Sequence, residues 1–380
     1  MSARVLSNAR LVLGDEVVHG SLLLRDGKIA EISAGATAVK GAEDMGGDYV
    51  LPGLIDLHTD HFEKHVLPRP GTRWNMVSAG LAHDAQMAAG GITTSFDCVC
   101  VGVSIKNPER NEIYRPMIDA VREARDQGML RADHIVHLRC EVTDPDVVGL
   151  FDQVADHAAV GMMSLMDHAP GHRQSPDVQR FRARTMKNLG LSEAEADVHI
   201  ERLMAASRDK APQNRRDLAQ RAKARGLAIA SHDDETPEHV EEAAAMGITV
   251  SEFPTTLAAA RLARDRNMKI IMGAPNLLRG GSHSGNVSAA ELAAERLLDN
   301  LASDYVPASL LQAAFRLAEE DHGLTLPQAV ATVSATPAET AKLADRGRIA
   351  AGLKADLLRV AVVAGRPFLR TVWRDAERVM

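Results

Sequence analysis

The chain has 380 residues, 45% of them hydrophobic and 25% charged, a balance that suits a globular enzyme with a substantial core and excludes a disordered or fibrous polymer. A net charge of -7 argues against a broad nucleic-acid footprint, and aromatic residues at 3% are too scarce for a base-stacking platform. No apolar run is long enough to span a bilayer and no charged-then-apolar leader opens the chain, so the expected location is the cytoplasm, without membrane or nucleic acid as a partner.

Residues 3–48 alternate apolar and polar positions, with Asp26-Gly27 as a hairpin turn between two such runs. Short strands with turns return at Gly347–Leu358 and Phe368–Trp373. Segments 1–49 and 345–380 therefore predict one small β-sandwich domain composed of both chain termini, which often lie close together. Residues 50–344 form the other expected domain.

That domain opens on Val50–His61, an apolar run ending in His58-Thr59-Asp60-His61. It reads as a strand covered on both faces. Residues two apart in a strand point to one side, so His58 and Asp60 are placed to converge on one ion. Further strand-like runs follow at 92–97, 134–139, 161–166, 227–231, 248–251, 269–272 and 300–303, with helical patterns at 111–127, 214–224, 237–245 and 256–264. Eight such units predict a (β/α)8 TIM barrel, with the active site at the carboxyl ends of the strands. An open doubly wound sheet is disfavoured because no Gly-rich dinucleotide fingerprint follows an early strand. The segment 170–212 is longer than a minimal connection, with a helix opening at Ser192, and reads as a lid or a surface helical insertion. Cys98, Cys100 and Cys140 have neither the number nor the spacing of a disulfide framework or zinc knuckle.

The barrel reading demands that chemical residues follow the apolar runs, and they do. Glu141 ends the third run, Asp167-His168 the fourth, His232-Asp233-Asp234 the fifth, and Asp304 follows the eighth. His58, Asp60, Glu141, His168 and His232 are the predicted metal ligands. Imidazoles with carboxylates suit one or two divalent ions, Zn2+ foremost, with Mn2+ or Fe2+ as alternatives. Asp304, last and distinct in kind, is assigned proton transfer beside an ion that acidifies water, in preference to capping the next helix. The loop from Gly273 to Asn286 contains Arg279, Gly280, Gly281, Ser282 and His283 and suggests an anion cradle without the ending of a Walker loop. Lys64, Arg69 and Arg73 follow the first strand, and Arg139 and Arg173 adjoin predicted ligands. Any one of these cations alone reads as a solvated loop charge. Together they favour a multiply anionic substrate, for which Lys64, Arg69, Arg139 and Arg279 through His283 are the predicted contacts.

The strand ending Pro-Gly-Leu-Ile-Asp-Leu-His, the later strand-end histidines, the late Asp and the terminal Gly-Arg-Ile-Ala-Ala-Gly-Leu-Lys-Ala-Asp-Leu resemble the amidohydrolase superfamily over nearly the whole chain. More narrowly, Leu57–Asp60, Pro68–Pro70, His137–Glu141, Ser164–Gly171, Ala230–Asp234 and Gly273–Asn286 resemble its diphosphatase branch in the carbon–phosphorus lyase pathway. That likeness implies hydrolysis of alpha-D-ribose 1-methylphosphonate 5-triphosphate to 5-phospho-alpha-D-ribose 1-methylphosphonate and diphosphate. Two departures stand out. The superfamily's usual His-x-His is His58-Thr59-Asp60 here, which makes His61 a substitute for Asp60, and its fourth-strand bridging Lys has only Glu141, on the third, as a counterpart. Cyclic-amide or N-acyl hydrolysis and a metal-free binding protein are the competing readings, and a homo-oligomer is left open.

Overall fold

The computed structural model describes residues 3–102, 110–281, 285–319 and 323–380. Among them, eight parallel strands run in chain order as Leu54–Thr59, Ile92–Val101, Asp133–Glu141, Val160–Met166, Ala228–His232, Val250–Glu252, Lys269–Gly273 and Asn300–Ala302, each paired with the next. The first two are buried at every position, as apolar and β-branched runs between an inner core and an outer helical layer must be. The ring closes just beyond the last strand. A parallel bridge joins Thr59 to Asp304, where the Asp304 amide donates to His58 O at 2.9 Å and the Asp60 amide to Asp304 O at 2.8 Å.

Helices Met76–Ala89, Arg110–Asp126, Ala211–Ala224, Pro237–Ala245, Leu257–Asp265 and Ser309–Leu317 lie among those connecting the strands. Their starts follow local chemistry: Asn75, Thr236 and Thr256 each accept from a backbone amide of the first turn, and Thr236 is followed by Pro at the first helical position. Leu54, Ile92, Val136, Met163 and Leu301 pack outward against this layer, while Ile55, Leu57, Phe96, Met162, Val250 and Ile271 fill the barrel. The barrel is thus a packed core, open to chemistry only at its end.

Strands from both termini form a second sheet, in the order 377–378, 366–374, 357–363, 49–52, 4–12, 17–25 and 28–34, with 43–44 paired beside 4–12. It has its own core of Leu6, Leu11, Leu22, Leu24, Val50, Leu357 and Trp373. The expected hairpin turn at Asp26-Gly27 has both residues at positive φ, 51° and 76°.

One expectation needs correction. The run from Val50 is two strands. Tyr49–Pro52 pairs antiparallel with Leu357–Val360 in the terminal sheet, so residues 50–52, expected in the barrel, lie outside it. The chain passes from one sheet to the other at Gly53. Its amide donates to Asp356 O at 2.8 Å, and a Cβ there would stand 2.2 Å from Thr93 Oγ1. Only glycine fits that approach.

Residues 170–212 contain helices Val178–Leu189 and Glu193–Asp209, the latter opened by a Ser192 capping box. Ser207 Oγ donates to Asp167 Oδ2 at 2.7 Å and Arg215 Nη2 donates to the same oxygen at 2.6 Å. Asp167 therefore anchors this helical segment to the end of the fourth strand. No described helix is long and apolar enough to cross a membrane.

Candidate metal centre

His58 ends the first strand inside the barrel, 1% exposed, and His232 ends the fifth, 2% exposed. Both imidazoles are held by one group that the sequence reading missed. Glu252, the last residue of the sixth strand and fully buried, accepts from His58 Nδ1 at 2.8 Å and from His232 Nδ1 at 2.6 Å. The two rings stack at 5.9 Å and 15°, with Phe253 against both. Burial opposes ionisation of Glu252, but His58 and His137 outweigh it and keep the carboxyl well below its usual range. An ionised Glu252 binding both Nδ1–H groups leaves both Nε2 lone pairs for other partners. A carboxylate behind the imidazole is how metal-binding histidines are commonly oriented. Glu252 follows the same pattern as Glu141, a carboxylate at the last position of a strand, but the sequence places the end of that run at Ser251.

At the barrel mouth, potential ligand atoms gather in two groups among the described residues. One ligand atom each of His58, Asp60 and Asp304 lies within 4.8 Å of the others, and the same holds for His168, His232 and Asp233. His58 Nε2 stands 3.8 Å from Asp60 Oδ1, and His232 Nε2 stands 3.4 Å from Asp233 Oδ2, a buried oxygen without a hydrogen-bond partner. The outward Nε2 atoms of His58 and His232, the latter facing Arg139 Nη2 at 3.4 Å, an orphaned carboxylate oxygen and a mixed N/O donor set fit one or two divalent ions. Asp233, Phe253 and Asp304 adopt left-handed φ of 54°, 56° and 53° directly beyond the fifth, sixth and eighth strands. Non-glycine residues accept that conformation at a cost of about 1–3 kcal/mol, and such strain clusters at functional sites.

Three predicted residues are placed differently from the expectation. Glu141 is in neither ligand group: it accepts from His168 Nδ1 at 2.8 Å and from Thr143 Oγ1 at 2.7 Å, so it orients His168 from behind. Arg139, predicted to grip substrate, donates from Nη1 to both oxygens of Asp60 at 2.6 and 2.7 Å, because the third strand points it inward beside the first. Burial opposes the Asp60 carboxylate, yet Arg139 and His58 hold it well below the usual range. His61, the substitute for Asp60, opens helix His61–Val66 and lies against His65 and His83, outside both groups.

The glycine loop also differs from a cradle. After the short helix Ala274–Leu278, the amides of Arg279, Gly280 and Gly281 donate to the Pro275, Leu277 and Asn276 carbonyls, respectively, at 3.0–3.2 Å. Amides that close a helix end have no hydrogen left for an anion. The Arg279 side chain remains exposed, with Nη1 donating to Tyr305 Oη at 3.3 Å. It lines a cavity with Gly281, Asn276, Tyr305, Asp233 and Asp304. Ser282 and His283 lie outside the described residues. Lys64 Nζ donates to Tyr305 O at 3.2 Å, on the rim, whereas Arg69 stays in an exposed turn closed onto Thr72 and does not line this cavity. Arg73 pairs with Glu112 at 2.7 Å. Arg173 Nη1 donates to His232 O at 2.8 Å and Asp234 Oδ1 at 3.0 Å, beneath the mouth.

Asp304 faces this cavity and its carboxyl is pushed up by burial, against His58 and with Asp60. Deeper in the barrel, His137 Nδ1 donates to Leu57 O at 3.0 Å while its buried Nε2 has no partner. Burial pushes its imidazole down to about 4.

A barrel with His and carboxylate ligands gathered at its carboxyl end defines a hydrolase of the amidohydrolase class, and the comparisons agree. A model described as "Amidohydrolase family" matches residues 190–360. A full-length relative, alpha-D-ribose 1-methylphosphonate 5-triphosphate diphosphatase of Escherichia coli (strain K12), is 42% identical over 99% of this chain and 100% of its own length. The chain belongs to the amidohydrolase family and is an enzyme. L-hydantoinase of Paenarthrobacter aurescens is 36% identical over 24% of this chain and 19% of its own length. The fold is shared with 5-methylcytosine deaminase from Klebsiella pneumoniae, at a TM-score of 0.67 and 15% identity over 99% of this chain and 98% of that one.

Replacing Glu252 by Gln is expected to weaken zinc affinity by about 10–100-fold, since the amide cannot accept from both imidazoles with equal strength. Zinc titration by competition with a chromogenic chelator measures this, and unchanged affinity would leave Glu252 a packing residue.

Proposed function

We propose that this enzyme hydrolyses alpha-D-ribose 1-methylphosphonate 5-triphosphate, releasing diphosphate and leaving 5-phospho-alpha-D-ribose 1-methylphosphonate. The observation that carries the reading is the 42% identity to the E. coli diphosphatase across both full lengths, where the hydantoinase likenesses span 24% of the chain at 36% identity and 50% at 27%. His58, Asp60, His168, His232 and Asp233 would hold one or two divalent ions, Zn2+ foremost for this donor set. Such an ion supplies electrophilic polarisation and acidifies water. Asp304 takes the proton of the water that attacks the α-phosphorus. Arg279 and Lys64, on the rim, neutralise the departing diphosphate, where fixed positive charge counts most in the transition state. Glu252 and Glu141 keep the imidazoles aimed throughout.

Incubation with the ribose triphosphate should release diphosphate, and a chelator should abolish the release. Single orthophosphates would place attack at another phosphorus. Turnover of hydantoin or dihydroorotate instead would favour the cyclic-amide reading that the hydantoinase stretch suggests. Arg279→Ala should raise the KM for the triphosphate about 10–100-fold, the equivalent of one lost charge-assisted hydrogen bond. Because the side chain is exposed, the unfolding temperature should not move; a parallel loss of stability would make Arg279 structural.

A further inference from the structure

We propose that His61, His65 and His83 form a separate site for one borderline divalent ion of the zinc type, distinct from the two ligand groups at the barrel mouth. One nitrogen of each ring lies within 4.8 Å of one nitrogen of both others, with ring centres 5.0, 6.1 and 6.2 Å apart. His61 and His65 are four residues apart on helix His61–Val66 and so share a face, which meets His83 on helix Met76–Ala89.

The free nitrogens are the second observation. His83 is 1% exposed, yet its Nδ1 has no hydrogen-bond partner, and the buried His61 Nδ1 has none either. Such orphaned atoms are costly unless a group from outside the protein satisfies them. The tautomer of His83 is set from behind: its Nε2 donates to Asp97 Oδ1 at 2.8 Å, leaving the Nδ1 lone pair toward the cluster. Asp97 is itself fixed, accepting from Ser95 Oγ at 2.7 Å and from His134 Nδ1 at 2.7 Å. His65 Nε2 donates to Gln86 Oε1 at 3.1 Å, which leaves its Nδ1 available. A carboxylate and an amide oxygen behind two of three imidazoles match the supporting groups of histidine metal sites. Around a zinc ion with bonds of about 2.0–2.1 Å, three nitrogens stand roughly 3–3.5 Å apart, within reach of small side-chain rotations.

An ion there ties the helix that begins directly after Asp60 to helix Met76–Ala89 and, through Asp97, to the second strand. The first residue beyond the barrel strand is thereby braced from outside the mouth.

The test uses full-length protein and zinc alone. A mouth variant, His58→Ala with His168→Ala and His232→Ala, which takes an imidazole from both mouth groups, should still retain one equivalent of zinc after dialysis, and zinc-edge X-ray absorption should count three imidazoles around it. Adding His61→Ala and His65→Ala should remove that equivalent, with the fold checked by circular dichroism. In otherwise native protein the same pair of changes should lower zinc content by one equivalent, whether or not the mouth binds metal. A mouth variant without zinc, or one whose zinc lacks the three-imidazole shell, overturns the proposal. So does equal zinc content with and without His61 and His65.

Discussion

Replacing Asp304 by Asn should cut turnover by about 10²-fold or more at unchanged metal content, the range expected when a positioned base is lost. The substitution keeps the size of the side chain, and Asn tolerates the left-handed φ of 53° that this position adopts. The two backbone bonds between Asp304 and the His58–Asp60 segment need no side chain, so the barrel stays closed. What disappears is the ability to take a proton. Steady-state kcat beside elemental analysis of the same sample separates the outcomes: lost metal would make Asp304 chiefly a ligand of the His58 group, and unchanged turnover would move the role to Asp233.

The second large effect concerns stability. Asp97→Asn should destabilise the protein by about 3–5 kcal/mol, because it breaks a buried charged network and leaves the His134 cation with Asp84 as its remaining carboxylate. Asp97 is buried and binds His83, His134 and Ser95, and His134 Nε2 also faces Asp84 Oδ1 at 3.3 Å. Burial opposes the charge on His134, but Asp97 and Asp84 raise its imidazole from the usual 6.5 to about 10. A group raised in the folded state contributes stability that is complete below its unfolded pKa and is lost as pH rises through the folded one. Native protein should therefore lose apparent stability between about pH 6.5 and pH 10. The Asp97→Asn variant should be flatter across that window. Thermal unfolding followed at several pH values measures both, and equal slopes would assign the alkaline loss to other groups.

Much of the barrel was legible because most of its strands are apolar runs with a polar residue at or just beyond the end, a pattern that survives without knowing the partners. Leu227–Ser231 and Lys269–Met272 lie within a residue of the observed strands, and helix Pro237–Ala245 has the expected bounds. What could not be read is pairing across distance. Glu252 serves His58 from a strand 194 residues away, and Arg139 meets Asp60 across 79. Nothing local distinguishes an arginine aimed at phosphate from one aimed at a neighbouring carboxylate. The Gly280-Gly281 turn has the composition of an anion loop, but its amides are consumed by the helix before it. Gly53 sits inside a run that reads as one strand and is the crossing point between two sheets.

The bonds that close the barrel join His58 and Asp60 to Asp304, which are candidate site residues themselves. Assembly of the chemistry and completion of the ring are therefore a single event. A chain that has not yet brought the eighth strand to the first has no partial activity to offer, only unpaired donors and acceptors. Recovery of turnover during refolding should accordingly lag behind the helical signal and coincide with the last cooperative step, making catalysis a direct reporter of ring closure.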